Sequence, residues 1–234
     1  MKVIRVFFRK CIYTLLDLLI RVKTRFFSET MIASGYLIKN ASYYRKSTAS
    51  AYKKDRFYLH ETIRQQHSPN DEKILYIEFG VHCGDILKDW VSHNDNSDST
   101  FWGFDTFTGI PEDWGSVKAG SFSTEGMIPN LNDGRVVFQI GLVQNTLPKL
   151  LESINKSKRL ILHFDFDLYN ATLFSMLYLQ PYFKKGDIFI FDEFFSISKN
   201  HHEFRAFKDF LSLFKLEYKP LYKVRQGQYA IELL

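Results

Sequence analysis

Ile74-Leu75-Tyr76-Ile77-Glu78-Phe79-Gly80-Val81-His82-Cys83-Gly84-Asp85-Ile86-Leu87-Lys88-Asp89-Trp90 decides the fold. An apolar run of strand length turns through two glycines into a segment of helical pattern. The glycines let the backbone turn sharply and bring a ligand close to the carboxyl edge of the strand. Glycine spacing alone is a weak signal, and ordinary strand-to-helix turn chemistry would account for it. The rest of the chain gives it weight.

Four further runs resemble the first: Thr100–Phe104, Val136–Ile140, Leu160–Phe164 and Asp187–Phe191. They are short, rich in β-branched, aromatic and leucine residues, and mostly apolar throughout, as suits strands buried on both faces of a parallel sheet. Segments of helical length lie between them, among them Leu147–Asn155 and Ala171–Phe183. This alternation predicts a doubly wound, Rossmann-like α/β fold with a mostly parallel sheet. A helix over Glu203–Phe214 and strands over Tyr218–Tyr222 and Tyr229–Leu233 complete about seven strands.

The amino-terminal part differs. Residues 1–73 carry 15 Lys/Arg against 6 Asp/Glu, whereas residues 74–234 carry 16 against 20. The basicity behind a pI near 9.0 is thus confined to one segment, which argues against a nucleic-acid-binding domain. Between Lys2 and Phe27, Ile4, Phe8, Leu15, Leu19 and Val22 share one side of a 3.6-residue helix, with Lys2, Arg5, Arg9, Lys10 and Lys23 on other faces. Its apolar run, Cys11–Ile20, holds ten residues including Asp17, short of the roughly 20 that span a bilayer. It leads into Arg21, Lys23 and Arg25 rather than a small-residue cleavage site. An amphipathic helix on an anionic membrane surface and a helix packed on its own domain or on a second copy are equally compatible. Residues 35–70 read as a second helical stretch, closed by His67-Ser68-Pro69-Asn70-Asp71. The expected division is a basic helical extension over 1–72 and an enzyme domain over 73–234. With only Cys11 and Cys83, no disulfide framework or zinc site is expected, and a reducing cytoplasm is the expected compartment, at the inner membrane face if the basic helix binds lipid.

The second strand ends in Asp105, where a carboxylate can accept hydrogen bonds from both ribose hydroxyls. A dinucleotide site needs G-x-G-x-x-G and a helix amino terminus facing pyrophosphate. Here Glu78 begins the loop instead; its charge would repel phosphate but suit the ammonium and sulfonium of S-adenosylmethionine. The fourth strand runs into Asp165-Phe166-Asp167 and the fifth into Asp192-Glu193. Neighbouring parallel strands deliver their last residues to one edge, so four carboxylates would converge there. An all-oxygen set of this kind favours Mg²⁺, Mn²⁺ or Ca²⁺ over zinc.

The chain resembles the macrocin O-methyltransferase family of metal-dependent class I S-adenosylmethionine methyltransferases. The resemblance rests on Tyr76–Val81, Gly103–Trp114, Asn145–Pro148, Asp165–Tyr169, Phe191–Phe194 and His202–Phe207, and spans about residues 73 to 234. It implies that Glu78, Gly80 and Gly84 line the methionine side of the cofactor, and that Asp105 holds the ribose with Thr106 beside it. It also implies that Asp165, Asp192 and Glu193 ligate Mg²⁺ (or Mn²⁺), and that Asp167 is the general base. Asn145 stands where the family commonly has aspartate, and Asp85 where a small hydroxyl residue is frequent. The implied acceptor is a hydroxylated small molecule or glycan, with no nucleic acid involved. Rival readings are a glycosyltransferase using Asp165-Phe166-Asp167 as its D-x-D, and a non-catalytic membrane-surface adaptor. His201, His202 and Arg205 are expected to cover the acceptor pocket, and Trp102 and Trp114 to pack in the core or a lid.

Overall fold

The computed structural model describes residues 31–36, 52–195, 202–224 and 227–234. The chain divides into two compact units, residues 1–39 and 40–234. In the first, residues 31–36 are helical with Ala33 buried; the expected amphipathic helix, Lys2–Phe27, lies outside the described residues. The second unit takes in helix α1 (Tyr52–His67), which the sequence assigns to the extension, together with the whole sheet. No helix among the described residues is long and apolar enough to cross a membrane.

Seven strands form one sheet: β1 (Ile74–Phe79), β2 (Thr100–Asp105), β3 (Val136–Ile140), β4 (Arg159–Phe164), β5 (Ile188–Phe191), β6 (Tyr218–Lys223) and β7 (Tyr229–Leu233), in the order β3-β2-β1-β4-β5-β7-β6. The first five run parallel, and β7 lies antiparallel between β5 and β6. Helices α2 (Asp85–Ser92), α3 (Tyr169–Leu179) and α4 (His202–Leu213) flank the sheet with α1. The doubly wound, mostly parallel expectation holds.

Two local expectations are corrected. β3 is not buried on both faces: it is the sheet's edge, and Val137 and Ile140 remain 37% and 57% exposed. Its apolar composition therefore reflects strand propensity more than burial. The helix expected over Leu147–Asn155 is a four-residue turn, Val143–Thr146, running into a 3₁₀ stretch, Leu147–Ser153. Pro148, at the start of that stretch, lacks the N–H that a continuing α-helix would use.

The sheet's register explains the rest. Phe104, Phe79, Phe164 and Phe191 are direct neighbours on β2, β1, β4 and β5. Their rings follow one another at 5.3, 5.4 and 5.1 Å between centroids, and Phe191 meets Phe207 of α4 at 5.4 Å. All four are fully buried, each contributing about 1.5–3 kcal/mol of apolar transfer. Side chains alternate along a strand, so the residues one step before and one step after this row face the other way, toward α1 and α2. There Tyr76, Ile161 and Ile190 pack with Leu59, Ile63, Leu87 and Trp90.

Candidate functional site

One step beyond the phenylalanine row stand Asp105, Gly80, Asp165 and Asp192. The ladder carries on through them: Gly80 N–H donates to Phe104 O at 2.8 Å, Asp165 N–H to Phe79 O at 2.8 Å, and Asp192 N–H to Phe164 O at 3.1 Å. One step before the row, Glu78 is paired with Gly103 and His163, and His163 with Ile190. Glu78 and His163 therefore lie directly beneath Gly80 and Asp165 on the same face.

A cavity of about 850 Å³ opens over this edge. Its wall includes Gly80, Asp105 and Thr106 at one end and Asp165, Asp167, Asp192 and Glu193 at the other. Glu78 and Gly84 are not part of the wall. Glu78 is buried beneath the floor, where it accepts a hydrogen bond from Tyr76 Oη at 3.1 Å. Gly84 has a left-handed backbone, φ 77°, before α2, and a Cβ there would stand 2.9 Å from the ring of Pro129.

Gly80 is required by close approach. Its φ is +92°, and a Cβ would lie 2.0 Å from the carbonyl oxygen of Asp165. The glycine thus lets the first loop sit against the end of β4. Beside it, Asp105 is fixed by two backbone donors at 2.7 Å, His82 N–H on Oδ2 and Phe107 N–H on Oδ1. Each oxygen keeps a lone pair for a further donor. Thr106 Oγ1 donates to Gly109 O at 2.7 Å and so shapes the following loop. Asp85 opens α2 and meets the positive end of the helix.

At the acidic end, Arg56 of α1 pairs with Asp165 and, at 3.4 Å from Nε, with Asp192. Gln228 donates to Asp192 Oδ1. His163 is fully buried, and neither ring nitrogen has a hydrogen-bond partner among the described residues; Nδ1 lies 3.9 Å from Glu78 Oε2. Burial holds His163 neutral, its pKa pushed down to about 3, with the Arg56 charge adding to the effect. Burial likewise pushes Glu78 up to about 8, against the pull of Arg56 and of the Tyr76 hydrogen bond. One donor atom each from His163, Asp165 and Asp192 lies within 4.8 Å of the others. Two carboxylates with a neutral imidazole make a donor set that fits a divalent ion. Glu193 lines the same cavity, but its carboxylate is outside that close group. Its N–H donates at 3.0 Å to Glu203, a fully buried residue of α4 whose carboxyl burial drives well above the usual range. Asp167 takes a left-handed backbone, φ 65°, a conformation that costs a non-glycine residue of order 1–3 kcal/mol.

Trp102 is a core residue, whereas Trp114, nearly fully buried, forms part of the cavity wall with Phe122. His202 Nδ1 accepts from Tyr169 N–H at 3.3 Å and Arg205 lies 4.9 Å over the Tyr169 ring, so both join α4 to α3 outside the wall. His201 is outside the described residues.

The fold is that of the class I methyltransferases. The chain is similar to CalS11, a calicheamicin methyltransferase, at 20% identity over 88% of this chain and 91% of that one, with a TM-score of 0.63. It is also similar to the O-methyltransferase NovP (21% identity, 77% and 78% covered, TM-score 0.54). A third likeness is to an O-methyltransferase from Bacillus cereus in complex with SAH (14% identity, 95% and 96% covered, TM-score 0.50). At these identities the likeness is one of fold. No protein-family model and no curated protein matches the sequence.

Arg56, His163, Glu203 and Gln228 escape the sequence reading. His163 and Glu203 carry a local signal: His163 is two residues before Asp165 on the same strand face, and Glu203 sits on the helix side of Phe207 and Phe210. Arg56 and Gln228 reach the site only through tertiary packing.

Proposed function

We propose that this chain is an S-adenosylmethionine-dependent O-methyltransferase that acts on a hydroxyl of a sugar or similar small molecule, with a divalent ion, Mg²⁺ or Mn²⁺, held by Asp165 and Asp192 together with His163, and with Glu193 on the wall beside them. The observation that carries the reading is the register row: Asp105 and the acidic pair Asp165/Asp192 flank Gly80 along one cavity floor. A ribose held at Asp105 sets the donor's reactive end over Gly80, beside the acids. CalS11 is described as a TDP-rhamnose 3′-O-methyltransferase, which supports a sugar acceptor here.

In this reading Asp105 accepts both ribose hydroxyls while His82 and Phe107 keep its carboxylate fixed. Glu78 supplies negative charge from below the cationic end of the donor. When bound, S-adenosylmethionine offers an electrophilic methyl group and the divalent ion a Lewis acid that lowers the pKa of an acceptor hydroxyl. Asp167 would take that hydroxyl's proton, and pre-orientation of acceptor and donor along the cavity floor would supply much of the acceleration. Trp114 and Phe122 pack against the acceptor and exclude water. The basic segment that precedes α1 serves as an extension, with peripheral membrane contact as its role, while α1 belongs to the enzyme domain.

Calorimetric titration with S-adenosylmethionine, with and without Mg²⁺, tests the proposal. Wild type binds and Asp105→Ala loses binding; folded wild-type protein that binds under neither condition refutes it. Methyl transfer to nucleotide-sugars and free sugars then identifies the acceptor.

A further inference from the structure

The acidic end of the cavity already holds a cation, and it belongs to the protein. Arg56 enters from α1 and bridges Asp165 and Asp192, whose side chains are only 14% and 3% exposed. Two carboxylates at this burial repel each other strongly unless a positive charge lies between them. The helix is placed for this: His60, one turn after Arg56, meets the His163 ring at 4.5 Å and accepts from Trp90 Nε1 at 2.9 Å. Leu59 and Ile63 pack in the core beneath. α1 is therefore strapped along the two rows that carry Glu78, His163, Asp165 and Asp192.

The same place suits a metal. His163 is 0% exposed, has no hydrogen bond to either ring nitrogen among the described residues, and offers a nitrogen within 4.8 Å of both carboxylates. A guanidinium brings a single charge, and Arg56 leaves the lone pair of the His163 imidazole without a hydrogen bond. A dication balances both carboxylates and accepts that lone pair.

We infer that Arg56 is a built-in counter-ion that competes with the divalent ion for Asp165 and Asp192, so that metal loading requires Arg56 to leave. This rests on the metal-dependent reading of the site and adds its regulation: in the metal-free enzyme Arg56 occupies both carboxylates, and loading displaces its guanidinium from the acidic end of the cavity.

The test is Mn²⁺ binding to the full chain, followed by the paramagnetic resonance signal of the free ion, without cofactor or acceptor. Arg56→Met is expected to bind Mn²⁺ at least about tenfold more tightly than wild type, and Asp165→Asn in the same background to lose that gain. Its metal-free melting temperature falls below wild type and Mn²⁺ restores it. Should Arg56→Met not fold without metal, Arg56→Gln, which keeps a polar head without the charge, carries the same expectation. Variants that bind Mn²⁺ no more tightly than wild type overturn the inference. S-adenosylmethionine binding, measured separately, keeps the two claims apart. Cofactor binding with Mn²⁺ affinity indifferent to Arg56 refutes the competition alone; tighter Mn²⁺ binding without cofactor binding refutes the methyltransferase reading and leaves the competition standing.

Discussion

Cofactor binding should release a proton from Glu78. Burial raises this carboxyl to about 8, so at pH 7 about nine in ten copies are protonated before the cofactor arrives, and at pH 6 about 99 in a hundred. A sulfonium and an ammonium bound above Gly80 favour the ionised form. If ionisation accompanies binding fully, affinity tightens about ninefold from pH 6 to 7 and about fivefold from 7 to 8. The cofactor's own amine begins to lose its charge near pH 7.7–8.0, so the step from 6 to 7 is the clean one. Calorimetry in two buffers of different ionisation enthalpy reads both quantities, and about 0.9 proton should be released per cofactor at pH 7. Glu78→Gln flattens the profile. An affinity that changes less than about twofold between pH 6 and 7, without proton release, would refute the coupling. Stability carries the same signature: the unfolded chain ionises Glu78 from about 4.5 and the folded one only near 8. Stability from this group is therefore lost as pH rises through that window, on the order of 5 kcal/mol in the limit. Glu78→Gln should accordingly raise the melting temperature at pH 8 more than at pH 5.

Substitutions at three positions probe the frame around the site. Gly80→Ala puts a Cβ 2.0 Å from Asp165 O at a φ of +92°; it should cost at least about 1–3 kcal/mol in a denaturation midpoint and weaken cofactor binding. Phe164→Ala empties the centre of the phenylalanine row and should cost about 3–5 kcal/mol in urea unfolding with an unchanged slope. Glu203→Ala leaves the Glu193 N–H without its acceptor and should cost about 1–3 kcal/mol, while Glu203→Gln, which keeps an acceptor oxygen, should stay near wild type in the same unfolding assay.

The fold was legible because buried parallel strands write themselves as short apolar runs. Ile74–Phe79, Arg159–Phe164 and Ile188–Phe191 are buried almost throughout, and each is followed by its chemistry-bearing residues. β3 misleads because its valines and isoleucine serve strand formation at an exposed edge, and the stretch after it because Pro148 tightens the helix. At the site, the carboxylates ending β4 and β5 could be read from strand order alone. The side chains that restrain them could not. Arg56 lies 109 residues before Asp165 and Gln228 lies 36 after Asp192, and no local pattern marks either. Glu203 was readable in principle, as a carboxylate on the apolar side of α4 is costly without a partner.

The register also explains how one sheet edge carries both halves of the proposed reaction. A parallel sheet ends all its strands on the same side, but ends alone do not align functional groups; a shift of one residue would turn every side chain to the other face. Here Phe104, Phe79, Phe164 and Phe191 pin the register of four adjacent strands by packing against one another and α4. The row that follows must then face α1 as a unit: an acid for the ribose, a glycine for the close approach, and two acids for a cation. Apolar packing on one face thus sets the spacing of the charges on the other. Loosening the phenylalanine row should therefore disturb cofactor and metal binding together, although none of the four phenylalanines except Phe104 reaches the cavity wall.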